Sequence, residues 1–312
     1  MAIQIGNKVS RSRSKRKRAG GAYIPYLFLL PASALLVWFR YTPAFSAVYH
    51  SFTDWNGSPG AEFVGLEQYR ALFNDGVFLQ SLKNIFIYTL ARTVISTAMA
   101  LLGAELIYNL RSDRAGTFWR MVFTVPLVIP ATVIFLVWQR IYSGRLGLLN
   151  EFLEGVGLSQ WVQPWIGQTD TALLALIMIG FPLVTGVAFL VLLAALQNLP
   201  SSVSEAALLD GCNGLRRVFA IDLPSIRGPL ALVIILGINA GLQEFAPMLI
   251  VTGGGGPVNA TQSPGLYLYQ QAIGYGKYGY ATAIGTVLML LTLAFSWFIL
   301  RSRYQGAHDV AV

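Results

Sequence analysis

The sequence predicts an all-α, polytopic membrane protein with six transmembrane helices, and three observations carry that expectation. Hydrophobic residues fill 55% of the 312 positions and charged residues only 12%, about half the charged share of an ordinary soluble domain. The apolar residues gather into six runs, each near the roughly 20 residues that a helix rising about 1.5 Å per residue needs to cross a hydrocarbon core about 30 Å thick. Most basic residues flank those runs instead of forming a binding face. The net charge of +8 therefore reads as membrane topology, with the lipid bilayer and not nucleic acid as the surrounding partner.

Residues 1–22 form a basic tail that includes RSRSKRKR at Arg11 to Arg18. The first span, from about Tyr23 to Tyr49, is too long for the apolar region of a signal peptide. Its small residues Ala32 to Ala34 lie inside it and not after it, so no cleavage is expected. The second span runs from Leu82 to Tyr108, the third from Met121 to Tyr142, the fourth from Thr171 to Leu196, the fifth from Pro229 to Val251 and the sixth from Tyr280 to Leu300. Together residues 23–303 form the membrane domain, followed by a short tail, 304–312. With the N-terminus inside, fifteen Lys and Arg fall on inner segments, against five outside: Arg70, Lys83, Arg140, Arg145 and Lys277. That asymmetry places both termini in the cytoplasm.

Several chemistries are not expected. Cys212 is the only cysteine, and the two histidines, His50 and His308, stand far apart, so neither a disulfide nor a metal site is predicted. The glycine run Gly253 to Gly256 is not followed by Lys-Ser or Lys-Thr, and no G-x-x-x-x-G-K-[ST] pattern or HExxH occurs anywhere. The chain is expected to be neither an enzyme nor the holder of a cofactor.

The longest inner loop, LPSSVSEAALLDGCNGLRRVFAIDLPSIRGPL from Leu199 to Leu230, is more than a connector. Pro200 ends the fourth helix, and Ser202 with Glu205 three residues later has the form of a capping box. Ala206 to Leu209 continue as a short helix stopped by Gly211. A second short helix, Leu215 to Ile221, is expected to end before Pro224.

Within this loop Glu205-Ala206-Ala207, three residues, Gly211, nine residues, Ile221, one residue and Leu223-Pro224 resemble the EAA loop of binding-protein-dependent ABC importer permeases. Thr252-Gly253-Gly254-Gly255-Gly256-Pro257, Leu266-Tyr267-Leu268-Tyr269, Tyr278-Gly279-Tyr280-Ala281, Leu30-Pro31 and Ser51-Phe52-Thr53-Asp54-Trp55 are similar to the carbohydrate branch, the maltose-type and glycerol-phosphate-type permeases. The likeness runs from about residue 24 to the end. Cys212 stands where the family usually has Ala, and one glycine is extra before Pro257.

The resemblance implies a type I ABC importer permease-like fold in which the loop at 199–228 docks into a cytoplasmic ATPase through Glu205, Ala206, Ala207, Gly211, Ile221, Leu223 and Pro224. It implies as partners a second homologous permease, two ATPase subunits that bind ATP and Mg, an extracytoplasmic substrate-binding protein and a carbohydrate or polyol. On the residues alone, Glu205 could equally only complete a capping box and Gly211 only end a helix. The rival is a stand-alone oligomeric channel or secondary transporter, in which Glu244 or Arg92 would serve ion coupling.

Polar residues within spans are the candidates for a substrate path. Asn239 and Gln243 are four apart, on one helical face, with Glu244 beside them; the resembling permeases use this region for substrate, but interhelical hydrogen bonding explains the same pattern. A charge facing lipid at Glu244 would be costly, which favours an aqueous or paired site, and Arg40 and Arg92 are expected to snorkel or pair. Gly180, Phe181 and Leu183 flank Pro182, where a kink either opens space for a ligand or fits neighbouring helices together. Tyr267, Tyr269, Tyr275, Tyr278 and Tyr280 either stack on sugar rings or form an interfacial belt.

Overall fold

A computed structural model describes residues 24–144, 146–182 and 186–308. The basic tail 1–22, Tyr23, Arg145, Leu183 and the last four residues lie outside them. The chain divides into two units, one ending at Ala47 and the other beginning at Val48.

In the first unit α1 (Ile24–Leu36) passes through a π-helical turn, Val37–Tyr41, into α2 (Thr42–His50), which continues across the unit boundary. Thr42 donates its hydroxyl to the Val37 carbonyl at 3.0 Å, supplying a partner inside the widened turn. Phe28 and Trp38 are exposed, as suits a helix whose solvent is lipid, and Tyr26–His50 is long and apolar enough to cross a membrane.

The second unit begins with a loop in which Thr53 and Phe63 form an isolated antiparallel bridge. After α3 (Glu67–Phe73) comes α4 (Gly76–Tyr108), a helix of 33 residues. Asp75 caps α4, its Oδ1 accepting from the Val77 and Phe78 N–H groups at 2.8 and 3.4 Å. Next come α5 (Asp113–Thr124), α6 (Ala131–Ile141), α7 (Leu148–Gly155), α8 (Thr169–Ile177) and α9 (Val187–Gln197). Three short helices follow, α10 (Ser201–Leu209), α11 (Gly214–Arg217) and α12 (Leu223–Ser225), and then α13 (Arg227–Leu242), α14 (Ala246–Ile250), α15 (Pro264–Tyr269) and α16 (Tyr278–His308).

Helix α4 is the axis of this unit, with α9 and α13 packed along it. Toward its Asp75 end the core holds Ile85, Tyr88, Leu176, Met248 and Leu266. Toward its Tyr108 end it holds Ala104, Phe189, Leu192, Leu196 and Ile226. The small Gly103 lets Phe123 and Phe189 come within van der Waals reach of the α4 backbone, 3.5 Å from where a Cβ would sit.

The expected second and sixth spans are single helices, but the third, fourth and fifth are not. The third bends by 93° between Val128 and Ala131, where Pro126 and Pro130 cannot donate to a continuing helical ladder. The fourth stops at Ile177 and resumes at Val187; between them Gly180 and Gly186 adopt φ values of +83° and +112° that a helix cannot contain. The fifth stops at Leu242 and resumes at Ala246. Among the described residues three helices are long and apolar enough to cross a membrane, and up to six when each bent pair counts as one crossing. Among the described residues there is no β-strand.

Candidate functional site

The loop at 199–228 leaves α9 at Pro200, whose extended ψ of 137° makes it the cap of α10. The capping box expected of Ser202 and Glu205 does not form: the helix already starts at Ser201, so Ser202 lies inside the first turn and no side chain caps it. Gly211 does end the helix. It adopts φ +67° in a Schellman motif, with the Cys212 N–H donating to the Ala207 carbonyl at 2.8 Å and the Gly211 N–H to Leu208 at 3.1 Å. That termination turns Ala207 and Cys212 inward, both buried, and leaves Glu205, Ala206 and Gly211 exposed. Leu208 is 62% and Leu209 89% exposed beside them. The Glu205 side chain makes no hydrogen bond or ion pair among the described residues.

The second short helix departs from expectation, because it does not stop before Pro224. It runs from Gly214 through a π-helical turn at Val218–Asp222 into α12, ending at Ser225. Pro224 falls in the first turn of α12, where its missing N–H is no loss. Ile221 and Leu223 are half-buried and Pro224 is exposed.

Around the interruption between α8 and α9, Arg92 of α4 donates through Nη1 to the Ile177 carbonyl at 3.1 Å and also to that of Ile179. The last carbonyls of a helix lack intrahelical partners and carry its negative end, so a guanidinium there is stabilised without any acidic residue. Arg92 is thus paired, as one of the sequence alternatives has it, but with backbone. Arg92 and Gly180 border a cavity of about 470 Å³ shared with Pro126, Trp138, Phe181 and Pro182. Irregular backbone in a membrane domain is tolerated where it is buried in protein or lines such a space. The expected kink at Pro182 is therefore a full break, and Leu183 lies outside the described residues.

The candidates on the fifth span separate by environment. Asn239 donates to the Ile235 carbonyl at 3.1 Å and accepts from Ser296 of α16 at 3.2 Å, a bond that joins two helices. Gln243 is the residue that ends α13; its Nε2 donates to the Asn239 carbonyl at 3.1 Å and its side chain is exposed. Glu244 sits in the break, where its Oε1 accepts from the Phe245 and Ala246 N–H groups, both at 3.2 Å, at the start of α14. None of the three borders the cavity beside Arg92, so the structure does not unite them with Gly180.

At the N-terminus of α4 two of the tyrosines that the sequence offers, Tyr267 and Tyr280, meet Asp75, which it does not single out. Asp75 Oδ2 accepts from Tyr267 at 2.5 Å and Tyr280 at 2.7 Å, and with Trp55, Gln271 and Lys277 these residues border a cavity of about 530 Å³. Burial raises the Asp75 pKa, but the two phenols and the two backbone N–H groups outweigh it and hold the carboxyl below its ordinary value. The sequence signal is Asn74-Asp75-Gly76 directly before an apolar run, a helix-start signature. Of the other tyrosines, Tyr269 faces Phe245 and Tyr278 faces Trp55, with ring centroids 6.1 and 5.2 Å apart, while Tyr275 is 69% exposed.

Comparison with known proteins agrees with this architecture. The family model described as binding-protein-dependent transport system inner membrane component matches residues 96–303. The probable ABC transporter permease protein YurN of Bacillus subtilis is 35% identical over 274 residues, covering 88% of this chain and 93% of its own length. The diacetylchitobiose uptake system permease protein NgcF of Streptomyces coelicolor is 32% identical, covering 86% of this chain and 79% of its own. A solved bacterial ABC transporter involved in the import of the acidic polysaccharide alginate has a similar fold, with a TM-score of 0.78 at 19% identity over 91% of this chain and 96% of that one.

Proposed function

Because this chain belongs to the family of binding-protein-dependent transport system inner membrane components, we propose that it is the permease subunit of an ATP-driven importer of a carbohydrate or polyol. It works by alternating access with a second, homologous permease. Two ATPase subunits that bind ATP and Mg drive it from the cytoplasmic side, and an extracytoplasmic binding protein delivers the substrate. The carbohydrate is inferred from the relatives: the chitobiose derivative that NgcF takes up and the alginate of the solved transporter are both saccharides.

The observation that carries the ATPase coupling is the open face of α10. Glu205 and Ala206, with Leu208 and Leu209, stand exposed on a short helix closed by its Schellman turn, and the carboxylate has no partner among the described residues. An acid beside small and apolar side chains suits a protein cleft that offers an Arg or Lys and a dry pocket. Gly211, Ile221, Leu223 and Pro224 shape the two short helices that present this face. The substrate path is assigned to the breaks in the spans, with Gly180 beside Arg92 and Gln243 at the end of α13, flanked by Asn239 and Glu244. A secondary transporter gains no support, since Arg92 and Glu244 already engage carbonyls and N–H groups of this chain.

The test uses the tagged chain in membranes, with uptake of labelled diacetylchitobiose, maltose and glycerol 3-phosphate as probes. Glu205→Lys should abolish co-purification of an ATPase and uptake of whichever probe the parent takes up, with the amount of inserted chain unchanged. Normal uptake by the inserted variant overturns the docking role. Reporters fused after Arg303 and near Gly255 should report cytoplasmic and external locations; the reverse overturns the orientation.

A further inference from the structure

The five-residue π-helical turn at Val218–Asp222 stacks residues five apart, and it brings Arg217 against Asp222, with Nε 3.3 Å from Oδ2. The two side chains are 13% and 1% exposed. Arg217 Nη2 donates to Ser204 Oγ at 3.0 Å and to the Tyr108 hydroxyl at 3.3 Å, and those two hydroxyls lie 3.2 Å apart. The guanidinium also lies over the Tyr108 ring, 5.4 Å from its centroid. Neighbouring Arg216 is exposed and takes no part.

These partners belong to three different pieces of chain. Tyr108 is the last residue of α4, Ser204 precedes Glu205 on α10, and Asp222 belongs to the second short helix. Ala207 of α10 and Cys212 just after it are buried as well. Glu105, three residues before Tyr108 on α4, is 6% exposed; its Oε2 accepts from Asn109 at 3.3 Å and its Oε1 has no partner among the described residues. One buried carboxylate, two hydroxyls and a ring face therefore meet at one guanidinium, whose planar, multi-donor fork can hold several acceptors in fixed directions where an ammonium cannot.

We propose that Arg217 is a positioning residue that clasps α10 to the end of α4, so that a displacement of the docking face is carried into α4 as movement of one rigid body. This rests on the reading of α10 as the ATPase-docking helix, and it concerns how the force is transmitted, not where the ATPase binds.

The experiment measures the clasp directly in the full chain. In a Cys212→Ala background, spin labels at Leu209→Cys on α10 and Leu102→Cys on α4, both exposed positions, are read by pulsed electron spin resonance in lipid nanodiscs. The parent should give a single narrow distance. Arg217→Lys keeps the counter-charge but not the fork, and should lose that narrow distance. The pair Ser204→Ala with Tyr108→Phe removes the bridging hydroxyls while leaving the Arg217–Asp222 pair, should broaden the distance too, and decides the matter if Arg217→Lys does not fold. A broad distribution in the parent, or an unchanged narrow one in the variants even with a lowered melting temperature, overturns the inference: Arg217 would then only stabilise. Glu205→Lys, which tests docking, should leave the distance narrow, so loss of ATPase binding and loss of the clasp are read separately.

Discussion

Gly241 of α13 lies directly against Thr89 of α4: a Cβ on Gly241 would stand 2.8 Å from Thr89 Cγ2 and 2.9 Å from its Oγ1. One turn earlier Gly237 meets Thr93 in the same way, 3.0 Å from its Cγ2. In lipid the tails are as apolar as the side chains, so helices associate through close packing of small residues and not through exclusion of water. Gly241→Ala should therefore push α13 off α4 and cost about 1–3 kcal/mol. Adding Thr89→Ala should recover part of that, because it removes Cγ2 and a buried hydroxyl that has no partner. Thermal unfolding of the detergent-solubilised chain measures both, and a double variant no more stable than Gly241→Ala would contradict the contact.

Arg92→Met should leave the Ile177 and Ile179 carbonyls without their donor. An unsatisfied buried polar group costs about 1–3 kcal/mol, so the melting temperature should fall, and Arg92→Lys should fall less because an ammonium still reaches one carbonyl. A Met variant as stable as the parent would remove the capping role.

Gln243→Leu removes the exposed amide at nearly equal size. If Gln243 faces the substrate path, the probe concentration for half-maximal uptake should rise about tenfold or uptake should vanish, the loss of one or two hydrogen bonds, while basal ATP hydrolysis by the complex persists. If it only joins helices, assembly falls and uptake per assembled complex stays constant, which would strike Gln243 from the path.

Asp75→Asn should change how stability depends on acidity. The carboxyl is held below its ordinary pKa in the folded chain, so its contribution is fully present above the unfolded value of about 3.9 and is lost as pH falls through the lower folded value. The gap in melting temperature between parent and variant, full at pH 6, should close only as pH falls from about 4 through that lower folded value. A gap that stays constant across that range would show that the ionised form is not what Tyr267 and Tyr280 stabilise.

Much of the helical content was legible because hydrophobicity and length are local properties: α4 and α16 follow from uninterrupted apolar runs, and the Gly211 stop follows from a residue that tolerates a left-handed backbone. The Gly237-x-x-x-Gly241 spacing was readable as a close-packing motif, and Asn74-Asp75-Gly76 as a helix start. The Arg217–Asp222 pair was not, since a separation of five does not align residues on an ordinary α-helix and becomes a contact only in a π-helical turn. Pro182 near Gly180 marked a kink in the fourth span, but the break at 243–245 was hidden for a related reason. Hydropathy averages over a window and reports an apolar stretch whether or not its backbone is continuous.

The sequence by itself determined that this chain is a helical membrane protein, and its loop motif pointed to the family to which it belongs. Composition, span length and residue spacing are sufficient for that, because the bilayer demands internally hydrogen-bonded backbone and apolar surface wherever the chain crosses. Which polar groups serve structure and which stay open was decided only by the tertiary fold. Arg92 is drawn to orphan carbonyls of α8, Glu244 to N–H groups of α14 and Arg217 to the meeting point of α4, α10 and the second short helix. Glu205 and Gln243 are left exposed. A buried charge or donor must find a partner, and the partner's position depends on contacts between segments far apart in the chain, which no local pattern encodes.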